Sequence, residues 1–439
     1  KDIAKKLKDA GIEYVGVVSK FCVRNPSHEI LIKRLLNKYF KKIFLGHHVS
    51  GNLNFPRRIA TTYLNAAVFS LHKSFFEAVK QSLAEKGLTI PIQILKADGG
   101  TMSLESSMDF PGQTVLSGPA ASIMGAIPYA PKNQDAIVLD IGGTTTDIAF
   151  LVNKAPLLEP LGTQRGQHRS LIRSLRTESK GIGGDSFVRV ENGELLIGPE
   201  RKGPSMAFGG SVPTPTDAIV VLGLMDEGDR ENAQKGIRQI SEALGVSDID
   251  ASEMIFKKCC SIILKKTFEM IDKLNSQPVY TVHEFLEGYK ISPRKILLLG
   301  GSAKYFAKKI EALYHIKTQA VPEAAVANAI GAALARTTCE VSLNADTEHG
   351  IVTAHEEDFA EPISKAFSEK DLMDTAYTLL REKAISSGAD PDNLDEMEVV
   401  EFQKFNIIRN FSPRGRIYRT KVQLKPGLIK GFEKVLQLI

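Results

Sequence analysis

The 439-residue chain has no tryptophan and only four cysteines. With Cys259 and Cys260 adjacent, four thiols fit neither a disulfide framework nor a C-x-x-C metal site. That pair sits in the apolar helical stretch EMIFKKCCSIILKK and reads as buried, reduced thiols, which points to a cytoplasmic compartment. No apolar run reaches membrane-spanning length and no signal peptide opens the chain, so no membrane partner is expected. Gly-Lys does not occur, which excludes a Walker A loop, and H-E-x-x-H is missing as well. His47-His48 comes nearest to a metal cluster, but it lacks spaced partners and reads as a polar loop. Excess charge is small: 56 Lys and Arg against 51 Asp and Glu leave a net +5, which gives no case for nucleic acid. The one basic, aromatic-containing run, KFNIIRNFSPRGRIYRTK, reads as a solvated strand face because no nucleic-acid motif accompanies it.

What the chain does have is concentrated in residues 136–152, AIVLDIGGTTTDIAFLV. Two short runs rich in Ile and Val flank Gly-Gly-Thr-Thr-Thr and predict a tight hairpin. Gly142 and Gly143 are expected to bend the backbone with positive φ and bring N–H groups close to a ligand. Successive N–H groups in such a turn, with the hydroxyls of Thr144, Thr145 and Thr146, suit phosphate oxygens. Asp140 and Asp147 stand at the edges of the turn, where hydrated Mg²⁺ bridging to phosphate would account for carboxylates ending apolar strands. The plainer alternative is a Gly-rich hairpin with surface aspartates. GIGGDSFVRV supplies a second Gly-Gly beside an acid, at Gly183, Gly184 and Asp185. KILLLGGSAKYF runs from a buried strand into Gly300, Gly301 and Ser302 and then into a helix, a seat for nucleotide phosphate or sugar.

Elsewhere, strands alternate with helices, which indicates an α/β architecture. Residues 12–24 and KKIFLGHHVS read as strands, 27–40 and 58–87 as helices, and IPIQIL as a strand ending in Asp98-Gly99-Gly100. Small residues fill nearly every position of TVLSGPAASIMGAI and PEAAVANAIGAALAR, so those helices can approach closely at a crossing, as a hinge between two lobes would need. Residues 225–290 are polar and helical in pattern, an insertion on the second lobe. From Thr338 the pattern changes to strands around a helix near 370–385, a small C-terminal α+β module.

The order DIGGTTTD, GIGGDSF, LLGGSAKYF resembles the actin-like ATPase superfamily of sugar kinases, actins and heat-shock chaperones. More narrowly, NPSHE, RRIATTYLNA, ILKADGGTMS, TVLSGPAASIMGA, the hairpin, LLIGPERKGP and GGSVPTPTDAIVVLG are similar to the hydantoinase/oxoprolinase family, the ATP-dependent A-type subunit. The resemblance implies a two-lobed actin-like fold with ribonuclease-H-like lobes: residues 1–130 the remainder of the first, 131–337 the second, and 338–439 the added module. Family members open with a first phosphate loop of the D-x-G-G-T type. Nothing before Ala136 fits it, so the first lobe is expected to lack its N-terminal phosphate-loop strand and the chain to begin partway through that lobe.

Carried onto this chain, the resemblance implies ATP and Mg²⁺ as cofactors. Asp140 and Asp147 would serve metal and attacking water, and Thr145 the γ-phosphate. Gly183, Gly184 and Asp185 would face the nucleotide, and Gly300, Gly301 and Ser302 would line adenosine. Asp98 and Asp217 are weaker candidates for a substrate cleft, each equally readable as a turn-capping aspartate. The implied activity couples ATP hydrolysis to opening a cyclic amide, an oxoproline or hydantoin ring, or to a related carboxylation. A B-type partner subunit is implied, and a homo-oligomer is compatible. A nucleotide-dependent switch acting on a protein partner and a small-molecule kinase stand as alternatives, because the superfamily hosts all three.

Overall fold

The computed structural model describes residues 2–159, 162–276, 290–394 and 396–437. The chain forms two compact units, one of residues 1–120, 158–175 and 335–439 and the other of 121–157 and 176–334. Residues 338–439, expected as a module of their own, share a unit with the N-terminal 120 residues instead. Ion pairs joining Lys96, Asp98 and Arg173 to Glu340 and Lys421 bind them together, and such pairings leave no trace in hydropathy.

The unit of 121–157 and 176–334 is built on a six-stranded sheet in the order Glu178–Lys180, Thr146–Val152, Ala136–Ile141, Lys295–Leu299, Lys317–Ala320, with Ala155–Pro156 pairing on Thr146–Val152. The expected hairpin is present: Ala136–Ile141 and Thr146–Val152 run antiparallel, with Leu139 opposite Ile148 and Asp140 opposite Asp147. Lys295–Leu299 lies parallel to the first of them, placing Leu299 beside Asp140. The central strands are apolar on both faces because helices cover them, as parallel pairing requires. The helices Pro215–Val221, Arg230–Leu244, Asp248–Ser276 and Ala303–Tyr314 share one core with the sheet, and the side chains of Ile137, Leu139, Phe256, Cys259 and Phe306 are sealed inside it. The helical insertion expected at 225–290 is seen in two of these helices; its residues 277–289 lie outside the described residues. The small-residue helices Ser117–Ala126 and Ala327–Leu334 do meet. A Cβ on Gly125 would lie 2.0 Å from the Ala327 carbonyl oxygen, and one on Gly331 2.1 Å from that of Ala121. Only glycine permits that spacing.

In the other unit, Tyr14–Val17 and Lys42–Leu45 pair in parallel, flanked by the 31-residue helix Phe55–Glu85, whose N-cap Asn54 accepts from the Arg57 amide. The hairpin Gln93–Leu95 with Thr101–Ser103 turns at Asp98. An antiparallel five-stranded sheet, in the order Phe359–Pro362, Ile351–Ala354, Glu340–Asp346, Ser412–Leu424, Met397–Arg409, packs on the helix Glu369–Ser386. The expected strand at KKIFLGHHVS stops at Leu45, and Gly46–Val49 forms a helical turn. Glu29 draws the chain inward there by accepting the His47 amide at 3.0 Å. Among the described residues no helix is long and apolar enough to cross a membrane.

Candidate functional site

Four segments converge on the hairpin turn. The Gly142 amide donates to the Thr145 carbonyl at 3.0 Å and closes the loop. The facing segment then docks backbone to backbone: the Gly184 amide donates to Gly142 O at 2.9 Å and the Asp185 amide to Gly143 O at 2.7 Å. A Cβ on Gly183 would stand 2.3 Å from Gly142 O, and one on Gly143 2.4 Å from an Asp185 carboxylate oxygen. Gly142 and Gly143 therefore serve differently from the expectation, since neither adopts positive φ; close approach is what excludes a side chain at Gly143. Gly300 does require φ of +94°, and a Cβ there would meet Ile141 O at 2.3 Å and Asp140 Oδ1 at 3.0 Å. Ser302 precedes the helix Ala303–Tyr314, and its hydroxyl would lie 3.3 Å from a Cβ on Gly184. Asp140, the Gly142–Thr146 turn, Asp147, Gly183–Asp185 and Gly300–Ser302 thus form one cluster within a single unit.

Within the cluster the side chains divide by role. Asp140 and Asp147 face each other across the antiparallel pair, so their carboxylates share a face of the sheet. Burial raises the Asp147 carboxyl above the ordinary range, a hydrogen bond with Ser179 opposes this, and the Asp140 charge adds to the rise. Two like charges so placed are unfavourable alone and would be relieved by a divalent cation, so the pair is compatible with Mg²⁺. Thr146 is buried and donates to Ile182 O at 2.7 Å, so it braces the turn from beneath, whereas Thr144 is exposed and Thr145 half-buried. Among the described residues, the amides of Gly143, Thr144 and Thr145 have no backbone acceptor.

Two participants were missed in the sequence. Ser122 donates to Asp140 Oδ2 at 2.5 Å and fixes that carboxylate. Arg201 reaches Thr144 Oγ1 at 3.2 Å and Asp185 Oδ2 at 2.9 Å, bringing positive charge to the rim of the turn. Both lie in runs similar to the family, TVLSGPAASIMGA and LLIGPERKGP, but nothing local marked either side chain for the turn.

The weaker candidates have structural employment. Buried Asp217 forms a capping box with Thr214 and also accepts from the amides of Met206 and Ala207. Asp98 lies in the other unit, in the wall of a cavity of about 620 Å³. It accepts from Arg173 Nη2 at 2.5 Å, Thr338 Oγ1 at 2.9 Å and the Gly100 amide at 3.0 Å, with Lys96 Nζ at 3.4 Å. Burial would raise its pKa, but the Lys96 and Arg173 charges outweigh it and hold Asp98 well below the usual carboxylate range. Glu340 in the same wall is brought down to about 2 by Lys421 and Arg173 against the effect of burial. Burial pushes Glu356 the other way, to about 7.

The sequence matches the hydantoinase/oxoprolinase family over residues 58–341, more than half of the chain. The chain belongs to this family. It is 26% identical over 262 residues to caprolactamase subunit alpha from Pseudomonas jessenii, a match covering 55% of this chain and 37% of that protein. Two solved structures share the fold. Nucleotide-free acetone carboxylase superposes with a TM-score of 0.65 at 15% identity, covering 98% of this chain and 66% of that one. The ATP-dependent caprolactamase from Pseudomonas jessenii gives 0.64 at 19% identity, covering 97% and 66%. This family member therefore spans less than two thirds of the chains it resembles, and in them too the fold is mixed α/β.

Proposed function

We propose that this chain is the nucleotide-handling A-type part of an enzyme that couples ATP hydrolysis to the opening of a cyclic amide, or to a related carboxylation. The observation that carries the reading is the carboxylate pair Asp140–Asp147 beneath a turn whose glycines let a second backbone segment close over it. In this reading the sheet around the hairpin is one lobe of an actin-like ATPase, and a B-type subunit is the partner. Relatives described as an ATP-dependent caprolactamase and as carrying out ATP-dependent acetone carboxylation support that class of chemistry.

The amides of residues 143–145 would bind the phosphate tail, and the Thr145 hydroxyl would donate to the terminal phosphate. Mg²⁺ held by Asp140 and Asp147 would neutralise charge on the phosphate oxygens. Ser122 keeps Asp140 oriented toward that face, and Arg201 can exchange Thr144 for a phosphate oxygen without leaving its place. Gly300–Ser302 would receive the nucleoside at the start of a helix. Transfer of the terminal phosphoryl group to the amide carbonyl oxygen releases ADP and leaves a carbon that water can attack. Once water has added there, the ring C–N bond breaks, its nitrogen takes the proton, and a second water hydrolyses the resulting acyl phosphate to carboxylate and phosphate.

The test is nucleotide binding by titration calorimetry, followed by phosphate release with the partner subunit present. Binding of Mg-ATP that Asp140→Asn abolishes, and phosphate release stimulated by 5-oxoproline, hydantoin or a lactam, support the reading. Stimulation by a protein alone would point to a switch, and a stable phosphorylated product to a kinase. A chain that binds no nucleotide in the presence of Mg²⁺ overturns the proposal.

A further inference from the structure

In the unit containing the N-terminus, the helical turn Gly46–Val49 places two imidazoles against the loop after Ile351–Ala354. One candidate ligand atom from each of His47, His48 and Asp358 lies within 4.8 Å of the others. The arrangement behind them is specific. Glu29 and His47 are both sealed from solvent, and the Glu29 carboxylate accepts from the Ser19 amide at 2.6 Å and from the His47 amide at 3.0 Å. The same carboxylate lies 2.6 Å from His47 Nδ1. A carboxylate only accepts, so Nδ1 carries the proton, and in the neutral ring Nε2 keeps a lone pair. That Nε2 is buried and meets no hydrogen-bond partner among the described residues. A buried lone pair without a donor is unfavourable, and none of the described residues offers one. His48 Nε2 stands 3.2 Å from Asp358 Oδ1, the two rings meet edge to face at 4.3 Å, and His48 and Asp358 both line the 620 Å³ cavity.

We infer that His47 Nε2, His48 and Asp358 form a binding site for a divalent transition ion of the zinc class, oriented by Glu29 and open toward the cavity. A carboxylate that holds the far nitrogen of a ligating histidine is the usual support of such centres. Two imidazoles and one carboxylate suit Zn²⁺, Co²⁺ or Fe²⁺ rather than Mg²⁺ or Ca²⁺, which prefer oxygen. Ligand atoms about 2.0–2.2 Å from one ion can be no more than roughly 4.4 Å apart, so a small side-chain movement of exposed Asp358 closes the site. Three protein ligands leave a position that can polarise a carbonyl or bind water at the cavity. The site lies within one unit, does not depend on the nucleotide reading, and answers the polar-loop expectation for His47-His48: the spaced partner is Asp358, 310 residues away from His48.

The purified chain, stripped with chelator and dialysed, is titrated with Co²⁺ and followed by its visible d–d absorption, with Zn²⁺ as competitor. One ion per chain is expected, displaced by Zn²⁺, with the spectrum of a low-coordinate nitrogen–oxygen site. His48→Gln and Asp358→Asn, both at solvent-reached positions that leave the core intact, should each weaken binding tenfold or more. Glu29→Gln should weaken it about 10-fold with the ligands unchanged, provided circular dichroism shows the fold retained. No stoichiometric ion, or binding undiminished in both His48→Gln and Asp358→Asn, overturns the inference.

Discussion

The turn at residues 142–145 is made of backbone, closed by amides and by glycines whose missing side chains let segments touch. The cavity wall beside Asp98 is made of charged side chains, drawn from Lys96, Arg173, Glu340 and Lys383. A backbone site tolerates loss of a side chain but not the gain of one. A charged wall is the reverse, because each ion there is bearable only while its counter-ion is present. The two regions should therefore fail under opposite substitutions.

The largest effect is expected at Asp98. Replacing it with Ala leaves buried Lys96 without its carboxylate and half-buried Arg173 with Glu340 alone, and should cost about 3–5 kcal/mol, read from urea unfolding. An Asp98→Ala chain as stable as the parent would show that the wall is solvated rather than buried. At the turn the instructive change is additive. Gly183→Ala places a methyl against the Gly142 and Gly143 backbone, where no flexible side chain can move aside. It should cost about 1–3 kcal/mol and, by displacing the turn, abolish nucleotide binding. If Gly183→Ala binds Mg-ATP normally, the cradle is not where the phosphates go.

Acid distinguishes the regions next. Folding lowers the pKa of both Asp98 and Glu340, so each binds fewer protons folded than unfolded. Their stabilisation is complete above roughly pH 5 and is lost as pH falls toward 2. The Glu340 share is about 2 kcal/mol, allowing for its partial exposure. Unfolding midpoints measured from pH 5 down to 3 should decline, and Glu340→Gln should flatten the decline. An unchanged slope in that variant would assign the acid sensitivity elsewhere.

This contrast also explains what was legible in the sequence. The hairpin, the second Gly-Gly and the strand-to-helix Gly-Gly-Ser were visible because close backbone approach leaves glycine as the only choice, and glycine is written locally. Even there the reason was partly misread, since Gly143 avoids a collision with Asp185 and does not supply positive φ. The helices at 55–85 and 369–386 were visible, within a few residues, as helix-prone runs, the first closed by a glycine. The charged wall was not, because Asp98 meets Thr338 across 240 positions and Arg173 across 75, distances over which no pattern connects an acid to its base. The same blindness hid Asp358 from His48 and set residues 338–439 apart from the N-terminal unit they share.

The smallest effect is expected where the two kinds of construction overlap, at Arg201. Its guanidinium bonds Thr144 and Asp185 at the rim of the turn, yet it keeps 44% of its side-chain surface exposed. An ion pair that exposed contributes about 0–1 kcal/mol, so Arg201→Ala should leave the unfolding midpoint nearly unchanged. Nucleotide affinity should respond more than stability does. A guanidinium already resting on Thr144 needs little reorganisation to reach a phosphate oxygen, and one charge-assisted bond is worth about 1.5–3 kcal/mol. Screening at this exposed position should bring the loss to the lower end, about tenfold in Kd by calorimetry, and increasing salt should narrow the gap between Arg201→Ala and the parent. A gap independent of salt would mean that Arg201 acts by holding Asp185 against Gly143, a structural brace rather than a charge offered to the ligand.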